Sequence, residues 1–210
     1  MAAGDAEGTD VHPRPEPAAG PHLAGQLILS RLDYLRRAHG AEAVQAVLQS
    51  MEEADRQDLS GVDRGSWHPF GLLVRLDRAI ARRMAPDDEG IFERIGEASA
   101  RHRTEWVGDD ARLFSVHGFL SRVAEEHERF HTFGRAVYRR TGFDEGAIAY
   151  SEYPEMDPVY CRSAVGFFRG AVAFLTGRPA HVVETSCQCR GDIACVFIVR
   201  WRAAADVPVR

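Results

Sequence analysis

The chain has 210 residues, with 26 basic against 31 acidic side chains and a formal net charge of −5. This length suits one domain with a substantial core, and the acidic excess argues against nucleic acid as the main partner. Every basic residue is arginine and asparagine is absent, which excludes Schiff-base chemistry, lysine-containing phosphate loops and Cys-His-Asn triads.

The N-terminus shows no basic start followed by an apolar stretch. The most apolar run, 164–177, contains Arg169 and is too short to cross a bilayer. The sequence therefore predicts a cytoplasmic protein with no membrane partner. In a cytosolic chain of this length, four cysteines indicate metal binding or reduced thiols.

The N-terminal two thirds of the chain are predicted to be a tail followed by helices. Residues 1–22 are rich in Gly, Ala, Pro and acidic residues, which predicts a disordered tail. Residues 23–134 show apolar side chains three or four apart, the spacing of amphipathic helices. Gly40 and Gly61 are expected to end helices and Pro69 to start one. Further helices are expected over 91–105 and 111–131.

The C-terminal part, residues 135–203, alternates between strand and helix patterns. Strands are expected over 135–141 and 147–153, joined by a hairpin, and over 180–189 and 194–201. A helix between the two hairpins is expected to start at Pro158 and to end before Gly177. The predicted fold class is α+β in a single domain: N-terminal helices followed by a β-β-α-β-β antiparallel sheet covered by helices on one face.

Three cysteines are expected to meet in the last hairpin. If its turn centres on Gly191, then Cys187 faces Cys195 across the two strands. Cys161, in the first turn of the covering helix, is a natural third ligand. Thiolates that converge in this way are typical of a zinc site.

A closed tetrahedral site needs a fourth ligand, for which three residues are candidates. Cys189 lies two residues from Cys187, so strand alternation favours it. Glu184 lies three residues away, an odd offset, and reaches the metal only if a bulge intervenes. His181 is the third candidate, and the residues alone leave the choice open.

Four segments carry a family resemblance. Gly166–Gly170, Leu175–Gly177, Val183–Cys187 and Gly191–Phe197 resemble the 4-vinyl-reductase domain, which is named for bacteriochlorophyll-synthesis proteins. That domain also forms the sensor half of xylene- and phenol-responsive activators. It is related in fold to haem-NO-binding domains and to TRAPP subunits.

The resemblance implies a ligand set for the metal. In the activators' sensor domain, a structural zinc is held by a Cys, an E-x-x-C motif and a further Cys after seven intervening residues. The matching positions are Cys161, Glu184, Cys187 and Cys195, so the resemblance implies Glu184 as fourth ligand in place of Cys189. Four protein ligands leave no open position, which implies a structural role.

The resemblance also implies a function without catalysis. It suggests a stand-alone small-molecule-binding or sensor protein that forms a homodimer, with an apolar, aromatic or tetrapyrrole ligand between sheet and helices. A separate signalling or biosynthetic partner and a link to bacteriochlorophyll synthesis follow from the same relatives. Phenol specificity does not transfer, because Arg140 stands where the spacing of the relatives' ligand-binding Trp falls. Candidate pocket residues are the aromatic and histidine side chains Trp106, His117, Phe130, Tyr138 and Phe168.

Two alternatives compete with this interpretation. Residues 127–131 read H-E-x-x-H, the zinc-peptidase motif in which His127 and His131 would bind metal and Glu128 would act as general base. The extended form of the motif lacks its last histidine, because Val137 stands there. The other alternative is a TRAPP-like assembly subunit whose pocket is purely structural.

Overall fold

The computed structural model describes residues 20–88, 90–106 and 115–201, except for the side chains of 102–106. Its helices are α1 (Gly25–Gln49), α2 (Glu53–Ser60), α3 (Phe70–Met84), α4 (Ile91–Trp106), α5 (Val116–Glu125) and α6 (Pro158–Thr176). Its strands are β1 (His22–Ala24), β2 (Trp67–Pro69), β3 (Arg135–Arg140), β4 (Glu145–Ser151), β5 (His181–Ser186) and β6 (Ala194–Arg200). This order confirms the predicted α+β class.

The main sheet has four antiparallel strands in the order β3-β4-β6-β5. Helices α5 and α6 pack on its inner face, where Ile148, Phe197 and Val199 are almost completely buried. On the outer face Val137 is 60% exposed. The prediction of a sheet covered by helices on one face therefore describes the fold.

Both ends of α6 lie where the local sequence places them. Pro158 occupies the first turn, and the Asp157 side chain caps the helix by accepting the Val159 N–H at 3.1 Å. Gly177 ends the helix with φ of 67°, a left-handed conformation that glycine adopts without strain. Since Cys161 lies in the first turn of α6, these caps also define the position of its thiol.

Helices α4 and α6 pack with their backbones nearly in contact. A Cβ atom at Gly166 would lie 2.6 Å from the carbonyl carbon of Glu93, and one at Gly96 would lie 2.6 Å from the Phe167 nitrogen. The Arg169 guanidinium lies 2.7 Å from carboxylate oxygens of both Glu93 and Glu97. Glycine at these positions allows α4 to approach α6 closely, which closes one wall of the cavity described below.

The region predicted to be helical contains a short β-ribbon. Strand β1 pairs with β2, and Leu23 forms a bridge with His131. These contacts join segments far apart in the chain, so local periodicity does not reveal them. Of the predicted tail, residues 1–19 lie outside the described part, whereas His22 already belongs to β1.

Gly40 has φ of 84° and interrupts α1 between two helical segments, so the predicted helix end at this residue is confirmed. The helix expected over 111–131 is wrong at its C-terminal end, since α5 stops at Glu125 and a 3₁₀ turn follows at His127–Arg129; residues 111–114 lie outside the described part. Among the described residues, no helix combines the length and apolar character needed to cross a bilayer.

Candidate metal centre and ligand cavity

Three thiols and one carboxylate converge between α6 and the last hairpin. The ligand atoms of Cys161, Glu184, Cys187 and Cys195 all lie within 4.8 Å of one another. The sulfur of Cys161 is 3.7 Å from that of Cys187 and 3.5 Å from that of Cys195, and the remaining sulfur pair is 3.9 Å apart. Tetrahedral zinc with bonds of about 2.3 Å places its sulfurs roughly 3.8 Å apart, whereas a disulfide needs about 2.05 Å.

A β-bulge brings Glu184 to the same side as the thiols. Glu184 pairs with Phe197, but the next ladder pair joins Ser186 to Val196, so one extra residue lies in β5. Without the bulge, an odd offset would turn Glu184 away from Cys187. The structure thus contains the irregularity that a Glu184 ligand requires.

The other two candidates for the fourth position do not join the cluster. Cys189 and His181 are exposed, and neither belongs to the group of converging ligand atoms. Glu184 Oε1 is buried and has no hydrogen-bond partner, while its Oε2 accepts from Arg190 at 3.2 Å. A buried carboxylate oxygen without a partner is costly, so the site is suited to a cation.

Without a cation, the surroundings of the cluster stabilise the protonated form of two of its three thiols. A hydrogen bond with Cys195 and burial raise the pKa of Cys161 well above its ordinary value, and burial raises that of Cys187 to about 12. The hydrogen bond from Cys161 lowers the pKa of Cys195 to about 7. A divalent metal ion reverses this balance by holding all three sulfurs as thiolates.

A cavity of about 180 Å³ lies between the N-terminal helices and the sheet with its covering helix. Its wall is mainly apolar and aromatic and includes Leu27, Val123, Phe130, Tyr150, Phe167 and Phe168, with polar groups from Arg31, His127, His131, Tyr160 and Ser163. Phe130 and Phe168 are therefore the two predicted pocket residues that the structure places on the cavity.

The other predicted pocket residues are not among its lining. His117 Nδ1 is hydrogen-bonded to the Tyr138 hydroxyl, and its Nε2 lies 2.8 Å from the Phe143 carbonyl oxygen. The His117 ring also packs edge-on against Trp201 at 4.8 Å between centroids. His117 and Tyr138 therefore lie at the end of the sheet that faces away from the cavity. The side chain of Trp106 lies outside the part of the chain that the structure describes.

The H-E-x-x-H segment does not form a two-histidine metal face. The His127 and His131 rings stack at 4.4 Å, and their Nε2 atoms lie 2.8 Å from the Tyr153 hydroxyl and 3.2 Å from the Tyr160 hydroxyl. Glu128 is exposed. Because the motif occupies a 3₁₀ turn and not an α-helix, the nitrogens point to two tyrosines and not to one shared ion.

Arg31 is one of the cavity residues that sequence reasoning missed. Arg31 is 4% exposed and its Nε lies 3.3 Å from Asp77 Oδ1, with Asp77 1% exposed. The available signal was its position three residues after Ile28 and next to Leu32, on the buried face of α1. A charged residue on such a face needs a buried partner.

Comparisons with known proteins identify the fold. No family model and no curated protein matches the chain. Among solved structures, an Fe(II) H-NOX protein from S. oneidensis matches with a TM-score of 0.68 and 14% identity, over 89% of this chain and 100% of that one. An unliganded H-NOX protein from K. algicida matches with a TM-score of 0.67 and 9% identity, over 87% and 98%. The chain has the H-NOX fold.

A third match, a variant of Tt H-NOX, has a TM-score of 0.64 and 15% identity over 90% of this chain and 100% of that one. At such identities the similarity establishes the fold alone. The predicted relation in fold to haem-NO-binding domains is thereby confirmed. Membership of the 4-vinyl-reductase family stays a prediction.

Proposed function

We propose that this chain is a small-molecule-binding module that holds one compact apolar ligand between its N-terminal helices and its sheet. The observation that carries the proposal is the aromatic-walled cavity of about 180 Å³. An aliphatic cavity of about 150 Å³ accepts a benzene molecule, so this cavity has room for one substituted ring. The H-NOX fold supports the proposal, because two of the matching solved structures concern proteins that contain a distorted heme.

The cavity volume favours a ligand smaller than haem. A ligand far larger than one ring needs a pocket of at least about 300 Å³, well above the volume found here. The Nε2 atoms of His127 and His131 are hydrogen-bonded to tyrosine hydroxyls, whereas the buried Nδ1 of His127 has no hydrogen-bond partner. A tetrapyrrole intermediate of bacteriochlorophyll synthesis needs similar room, so it is treated as an outcome of the test.

The proposal includes a structural zinc ion held by Cys161, Glu184, Cys187 and Cys195. Its support is the tetrahedral spacing of the three sulfurs together with the unpartnered Glu184 oxygen. Such an ion would join the first turn of α6 to the last hairpin and would leave no position for a substrate. The homodimer, the separate signalling or biosynthetic partner and the cytoplasmic location stay predictions from the sequence.

Native mass spectrometry with elemental analysis of the full chain tests both parts together. We expect one zinc per chain and a compact organic adduct. Ala164 lines the cavity, so Ala164→Phe should abolish the adduct and retain the zinc. Ala54 is exposed on α2, and Ala54→Phe is the matched control that should keep both.

Three results would contradict the proposal. An adduct that survives Ala164→Phe would lie outside the cavity. If each chain instead carries one porphyrin, seen by its visible absorption bands, the ligand is a tetrapyrrole and not a compact ring. A chain that carries no adduct and binds no small aromatic probe would favour a cavity that is purely structural, as in a TRAPP-like subunit.

A further inference from the structure

The cavity wall contains a buried guanidinium that is only partly engaged. Arg31 Nη1 donates to the Leu27 carbonyl oxygen at 3.2 Å and to the Ser30 hydroxyl at 3.3 Å, while Nε donates to Asp77. None of these bonds uses Nη2. Since Arg31 lines the cavity, a ligand oxygen has a strong donor available inside a mainly apolar space.

The carboxylates near the cavity do not occupy that donor. Asp77 lies on α3, outside the cavity lining, and contacts Arg31 through Nε. Asp33 is the one carboxylate among the described lining residues, and its oxygens lie 3.8 Å from Arg36 and from Arg64. Arg64 also lines the cavity, but its side chain is 55% exposed and lies 3.8 Å from Asp33, so Arg31 is the buried cation of the wall.

We propose that the ligand is a compact aromatic carboxylate, with its ring against Phe130, Phe167 and Phe168 and its carboxylate oxygen on Arg31 Nη2. This inference rests on the proposed function and adds the chemical class of the ligand. Arginine suits the role because its planar group can serve Asp77 and a second carboxylate from different edges.

Benzoate and benzyl alcohol are suitable probes, because they have nearly the same size and differ in charge. Titration calorimetry on the zinc-loaded full chain measures both affinities. Because the hydrogen bond between a carboxylate and a guanidinium is charged on both sides, benzoate should bind roughly 10-fold to 100-fold more tightly. Ala164→Phe should abolish binding of both probes.

Variants of Arg31 assign the preference to its guanidinium. Removing Arg31 alone would leave Asp77 as a lone buried carboxylate, so the double variant Arg31→Met/Asp77→Leu removes both charges together. We expect it to lose the preference for benzoate over benzyl alcohol. Arg139 is exposed on the outer face of the sheet, and Arg139→Gln is the control that should keep the preference.

The outcomes separate this inference from the proposed function. Equal affinity for the two probes, both lost in Ala164→Phe, overturns the carboxylate class and leaves the binding cavity in place. Binding of neither probe overturns the inference, and the adduct experiment above then decides the proposed function. If circular dichroism shows that the double variant is unfolded, Arg31→Lys decides: it keeps the ion pair, and an undiminished benzoate preference would overturn the inference.

Discussion

Gly166→Ala is expected to destabilise the protein by forcing α4 away from α6. A Cβ atom there would lie 2.6 Å from the carbonyl carbon of Glu93 and 2.7 Å from its Cα. These are backbone atoms, so no side-chain rotation relieves the overlap. Overpacking of this kind costs up to about 3 kcal/mol, and the better helix propensity of alanine returns about 1 kcal/mol. The net loss is therefore about 2 kcal/mol.

For a chain of this size, 2 kcal/mol corresponds to a fall in Tm of roughly 4–8 °C, which calorimetry or thermal circular dichroism can measure. Two other glycines provide a graded series. A Cβ at Gly170 would lie 2.9 Å from the Glu97 Cα, so a smaller loss is expected, whereas one at Gly61 would meet its nearest atom at 3.7 Å. Gly61→Ala should change Tm little. A Gly166→Ala variant as stable as Gly61→Ala would refute the close packing of the two helices.

Three further predictions concern the metal site and the buried histidine. Cys187→Ser should lose zinc by elemental analysis, while the double variant His127→Ala/His131→Ala should retain it; the reverse pattern would favour the H-E-x-x-H site. Glu184→Gln should weaken zinc about 10-fold or more in a chelator competition while the fold stays intact, and unchanged affinity would remove Glu184 from the ligand set. Burial lowers the pKa of His127 to about 4, so the folded state binds fewer protons than the unfolded state, and stability should fall as the pH drops from about 6.5 to 4. NMR titration of the His127 ring checks this, and a ring that is protonated at pH 6 would contradict it.

The helix α6 and the last hairpin were predictable because their signals are local. The ends of α6 are set within one turn by Asp157, Pro158 and Gly177. The alternation of buried and partly exposed side chains around Cys195 indicates a strand, whichever strand pairs with it. The convergence of Cys161 with this hairpin was anticipated from its place in the first turn of the covering helix, and the family resemblance implied the same residue. The structure brings the sulfurs together.

The cavity was harder to predict because its wall comes from distant segments. His117 and Tyr138 have the aromatic and polar character of pocket residues, yet they bond to each other at the far end of the sheet. Arg31 has the character of a solvated residue, yet its ion pair with Asp77 holds it inside. Composition describes what a side chain can do, and only packing determines which space it faces.

The sequence by itself determined the α+β class, the order of the elements and the presence of thiols on one side of a hairpin, because each of these depends on residues a few positions apart. Local spacing left the choice between Glu184 and Cys189 open, and the family resemblance implied Glu184. The tertiary structure brings Glu184 and not Cys189 to those thiols, since the bulge in β5 depends on its pairing with β6. It also decided that His127 and His131 bond to tyrosines, because the turn that carries them is held by β1 and by residues of α6. Contacts between distant segments outweigh local periodicity at both places.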